Sequence, residues 1–168
     1  MSLSMYQASV PIFLRQFAAL SAILEKGRAH AEATGMDPAT MIATRLAPDM
    51  ASLDRQVQIA SDGAKGGIAR LAGIPVPSFV DDEKTFADLE ARIARTVEFL
   101  GTVTPAQIDG TEDKAITLKI GENEMTFLGQ PFLLHFVLPN FFFHVTTAYA
   151  ILRHAGVPIG KRDFLGGL

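Results

Sequence analysis

Residues 133–156 read LLHFVLPNFFFHVTTAYAILRHAG. The stretch holds three of the four histidines, four of the twelve phenylalanines and one proline, so it must be a metal site, a membrane span or a core helix. Residues 131–152 are long enough to cross a bilayer. They also carry His135, Asn140, His144, Thr146 and Thr147, which a lone span would set in lipid at high cost. Helical geometry separates the histidines. His135 and His144 are nine residues apart, half a turn out of phase and roughly 13 Å along the axis. His144 and His154 are ten apart, again too far to share an ion. No histidine pair has the i, i+4 spacing that chelates a metal on one helix face. Asn140 and His144 have that spacing, but a neutral amide oxygen is a poor transition-metal ligand. A helix apolar almost all round is what a globular core requires.

The rest of the chain supplies partners for such a helix. Phe13, Phe17, Leu20 and Leu24 form one stripe in a helix over residues 3–27, with Pro11 disturbing its first turns. Asp37-Pro38 is a cap followed by proline at the first helical position, opening a short helix to about Arg45. A second long helix runs from about Asp49, read as its cap, to Leu71. Its stripe is Met50, Leu53, Val57, Ala60, Ala64, Ile68 and Leu71, and Gly63, Gly66 and Gly67 permit close approach of a neighbour. Gly73-Ile-Pro-Val-Pro ends it. DDEKTFADLEARIARTVEFLG, residues 81–101, is a third helix. Its acidic start suits the dipole, Thr85 and Asp88 have capping-box spacing, and Phe86, Leu89, Ile93, Val97 and Leu100 share one face. Residues 115–129 switch to alternation around GEN, a β-hairpin. The fourth long helix then runs from about Gln130 to Ala155, with Gly156 as its cap.

The 168 residues, 48% hydrophobic and with net charge −3, can bury a real core as one domain over 1–168. Scattered lysines and arginines give no footprint for nucleic acid. Without cysteine there is no disulfide, thiolate site or cysteine nucleophile. The start MSLSMYQASVPIF has no charged n-region and no apolar core, so a mature cytoplasmic protein outside the membrane is expected. No phosphate loop, nucleophile elbow or H-E-x-x-H motif is present.

The ending HVTTAYAILRHAGVPIGKRDFLG, residues 144–166, resembles the last helix of the DinB/YfiT-like superfamily. These are four-helix bundles, many of which hold a divalent metal with three histidines. That helix typically carries H-x-x-x-H followed by L-R-x-x-G. By this resemblance His144 matches the second histidine and Asn140 stands where the first belongs. The segments RLAPDMASLDRQVQIASDGAKGGIARLAG (45–73), DDEKTFADLEARIARTVEFL (81–100) and LPNFFFHVTTAYAILRHAGVPIGKRDFLG (138–166) resemble the DUF1993 family, a DinB-like family of unknown function. The resemblance covers almost the whole chain.

The expected fold is therefore all-α: a DinB-like up-and-down four-helix bundle with a short extra helix and a small β-hairpin before the last helix. The superfamily triad also needs a histidine on the second helix, and none lies between His30 and His135. The polar residues there include Asp49, Gln56, Gln58 and Asp62. The pocket candidates are Asn140, His144, Gln56, Gln58 and Asp62, with a kink at Pro139 opening the pocket, and His144 is the residue offered as metal ligand. Two function classes follow. The first is a binding or interaction module for a small molecule, with an incomplete metal triad. The second is a transferase-type or hydrolase-type enzyme dependent on zinc, nickel or manganese. The phenylalanine run covers more than one side of its helix, so a homodimer is expected.

Overall fold

A computed structural model describes residues 3–167 of the chain; residues 1, 2 and 168, at the ends of the expected domain, lie outside the described residues. The elements are α1 (Val10–Thr34), α2 (Pro38–Ile42), α3 (Leu53–Ala72), α4 (Phe86–Gly101) and α5 (Pro105–Ile108), followed by β1 (Ala115–Ile120) and β2 (Asn123–Leu128). The chain then forms α6 (Gly129–Pro131), a π-helical segment (Phe132–Val137), α7 (Leu138–His154) and α8 (Lys161–Phe164). The four long helices make a bundle in the ring order α1–α4–α3–α7.

The first three long helices start later than the sequence expectation. The first helix begins at Val10, because Pro11 falls in its first turn, where its missing N–H costs nothing. It runs on to Thr34 and ends at Gly35, whose φ of 69° provides the left-handed cap. The second long helix begins at Leu53 with Ser52 as cap, so Asp49 caps nothing and lies in the linker. The third, expected over 81–101, starts at Phe86, behind the expected capping box: Asp88 N–H donates to Thr85 Oγ1 (3.1 Å), and Asp88 Oδ2 accepts from Thr85 N–H (2.9 Å).

The last helix is not one uniform rod. Pro139 has no N–H for the His135 carbonyl, and its ring needs room beside that group. The chain provides the room by widening into the π turn just before α7. Phe141 then enters the core between Phe13 and Phe17, with ring centroids 4.8 and 5.1 Å away. Among the described residues no helix is long and apolar enough to cross a membrane.

Small residues bring α3 and α7 together. A Cβ on Gly67 would lie 2.5 Å from Val137 Cγ1, and one on Gly63 would lie 3.2 Å from Asn140 Nδ2. Gly67→Ala therefore forces the helices apart, and overpacking of this kind costs about 1–3 kcal/mol. Thermal denaturation should show a Tm several degrees lower for Gly67→Ala. Gly101→Ala, where a Cβ meets nothing within 4 Å, should hold or raise Tm, because alanine is the better helix former. Equal responses at the two positions would remove the argument for close approach.

Candidate functional site

The five expected pocket residues do not share one pocket. α3 turns Gln56 toward α7 and turns Gln58 and Asp62 toward α4. On the α7 side, His144 Nδ1 lies 2.7 Å from Gln56 Oε1. Gln56 is almost fully buried, and its Nε2 donates to the Ala51 carbonyl at 3.0 Å. That second bond fixes which end of the amide faces the ring. Oε1 accepts, so Nδ1 carries the proton and Nε2 keeps its lone pair. Among the described residues no protein group hydrogen-bonds Nε2.

Burial pushes the His144 pKa below its ordinary 6.5, so the ring is neutral at pH 7. With the folded value below the unfolded one, this contribution to stability is present above pH 6.5 and is lost as pH falls through the lowered value. Asn140 is half-buried, one turn before His144, in the space that Gly63 leaves. Phe143 stands edge-on to the imidazole at 5.2 Å. On the next face of α7 an open groove of about 460 Å³ is lined by Leu46, Pro139, Phe142, Phe143, Thr146 and Thr147.

On the α4 side the polar residues belong to Arg92, which is fully buried. Its Nη2 donates to Asp62 Oδ1 at 2.8 Å. Its Nη1 lies 2.9 Å from both Glu83 Oε1 and Asp81 Oδ1. Gln58 Nε2 donates to Glu83 Oε2 at 2.8 Å, and Lys65 Nζ lies 2.7 Å from Asp62 Oδ1 as an ion pair. Burial raises the Glu83 pKa, but the hydrogen bonds from Arg92 and Gln58 outweigh it and hold the carboxyl below its ordinary value. Phe79 lies beneath the same charges, with Lys65 Nζ 4.8 Å and the Arg95 guanidinium 4.7 Å from its centroid. The cluster clasps the connector between α3 and α4 against both helices. Sequence reading missed Arg92. The signal was its place one turn after Leu89 and one before Thr96, on the buried face of α4.

This division bears directly on a metal. Around His144 the available donors are the amides of Gln56, already bonded to the ring, and Asn140. Neither is anionic, and Gln58 and Asp62 are held on the other side of α3. His135 and His154 are exposed, and His30 lies beside Gly156. Among the described residues no group of three histidine, cysteine, aspartate or glutamate side chains converges. The donor set does not fit a divalent ion held in the three-histidine manner.

Replacing Arg92 with methionine strands Glu83, whose side chain is only 2% exposed. Breaking one side of a buried pair costs about 3–5 kcal/mol. The Tm of Arg92→Met should fall by roughly 10 °C, and Arg92→Met/Glu83→Leu should recover much of the loss. A small loss in the single variant, or no recovery in the double, would show that Arg92 does not hold this region together.

No curated protein matches the chain significantly. The crystal structure of a DinB family member from Shewanella denitrificans is similar to it, at 38% identity and a TM-score of 0.87, covering 97% of this chain and 92% of that one. The family model described as "Domain of unknown function (DUF1993)" matches residues 5–165. With its bundle, its hairpin and this match along nearly its whole length, the chain belongs to the DUF1993 family and has the DinB-like fold.

Proposed function

We propose that this protein is a small-molecule binding or interaction module that works without the superfamily's usual metal. The carrying observation is the 2.7 Å contact between His144 Nδ1 and Gln56 Oε1. A histidine serving a metal is commonly oriented through its second nitrogen by a carboxylate or a carbonyl. Gln56 supplies that orientation, but among the described residues no group of three histidine, cysteine, aspartate or glutamate side chains gathers there. What remains is a fixed, neutral imidazole that can accept a hydrogen bond or a proton from a bound molecule. The apolar groove on the neighbouring face of α7 supplies surface for such a molecule.

The rival reading is a divalent-metal-dependent transferase or hydrolase built on His144, and it makes the opposite forecast. If the module reading holds, protein purified without chelator or affinity tag should contain substoichiometric metal. Its Tm should not respond to zinc, nickel or manganese. Stoichiometric metal, or a metal-induced rise in Tm that disappears in His144→Ala, would overturn the proposal and favour the enzyme.

A further inference from the structure

The hairpin carries an open edge with the chemistry to receive another strand. β1 and β2 pair antiparallel from Ala115↔Leu128 to Ile120↔Asn123, joined by Gly121-Glu122. Gly121 has φ +62°, and no non-glycine among the described residues has positive φ. This is a type II′ turn. A two-residue hairpin of this kind closes on a hydrogen-bonded pair, Ile120/Asn123, and the bonded pairs then alternate to 118/125 and 116/127. The N–H and C=O groups of Glu124, Thr126 and Leu128 therefore point away from β1. Thr117 Oγ1 and Thr126 Oγ1 meet at 2.9 Å, as side chains of a non-bonded pair do. No backbone hydrogen bond from another described segment reaches these three residues.

β2 is also the outer strand in its side chains. Met125 is 46% exposed and Leu128 50%, whereas Ile116 and Leu118 of β1 are buried. Phe127 ties β2 to the body through Phe132 and Phe136, at 5.9 and 5.5 Å. The strand NEMTFL has no lysine, no proline and no bulge in its pairing, the devices that usually protect an edge. It has a single charge, Glu124.

We propose that β2 pairs antiparallel with β2 of a second copy of this chain, about a two-fold axis through Thr126. That register is self-complementary. Thr126 faces its own copy as a bonded pair, and Glu124 faces Leu128 of the second copy, so the only charge never meets its like. On the other face Met125 lies over the half-exposed Phe127 of the second copy. The two hairpins become one four-stranded sheet in the order β1–β2–β2–β1, and the outward amides of both copies are satisfied. The phenylalanine run of α7, the original reason to expect a dimer, asks less of a partner: Phe141 is buried and Phe142 half-buried, leaving Phe143 as its exposed ring.

The test is light scattering of the full chain over a concentration series, with two variants. The wild type should have the mass of two chains. Thr126→Pro removes an N–H that β1 does not use, so it should give a folded monomer with unchanged circular dichroism. Thr126→Cys places the only two cysteines of the assembly across the axis. It should form a disulfide-linked dimer on mild oxidation, while Lys119→Cys, on β1 and one strand away from the axis, should not. A monomeric wild type would overturn the proposal. So would a folded Thr126→Pro dimer, or equal cross-linking at positions 119 and 126. If Thr126→Pro failed to fold, the cross-linking contrast would decide.

Discussion

The guanidinium of Arg92 is the group on which the arrangement of α3 depends. It is fully buried and makes short contacts to Asp62, Asp81 and Glu83, on α3 and on the connector that leads to α4. A buried cation of this kind survives only where its donors meet anions, and each anion it recruits is withdrawn from other use. Gln58 is drawn in as well, through Glu83. The charged face of α3 is thereby committed to α4. Toward α7, α3 presents Gly63, Gly67 and the amide of Gln56.

That division determines the character of the α3–α7 seam. Gly63 and Gly67 let the helices approach, Asn140 and Val137 fill the space, and Gln56 meets His144. The seam is neutral throughout. A carboxylate beside His144 would raise its affinity for protons and for metal ions. An amide oxygen does neither strongly, and burial then favours the uncharged ring. The π turn ahead of Pro139 belongs to the same design. It accommodates the proline at the mouth of α7, so that Asn140 and His144 follow on a regular helix facing α3.

Much of this fold was legible in the sequence, because its signals are periodic or local. The Phe86–Leu89–Ile93 stripe, the Thr85–Asp88 box and the alternation around Gly121 each depend on residues a few positions apart, and the family motifs lie in three such segments. The helix starts were harder. Pro11 marked an irregular first turn without showing that the helix waits for it, and Asp49, read as a cap, lies four residues before the first residue of α3. The site was only partly legible. The Asn140–His144 spacing was visible, and Gln56 was among the residues named for α3. The separation of Gln56 from Gln58 and Asp62 was not, since it depends on Arg92 thirty residues beyond Asp62 and on the path of the connector that brings Glu83 inward. A list of polar residues on one helix says little about which neighbour will claim each of them.

Asp62 serves Arg92 and leaves His144 neutral beside an amide. The most direct measurement is the imidazole titration of His144, followed by NMR in the wild type and in Asp62→Asn. The midpoint should lie below 6.5, the ordinary value, and should not move with the substitution. A midpoint above 6.5, or one that falls when the Asp62 charge is removed, would place a carboxylate in the seam and contradict the division.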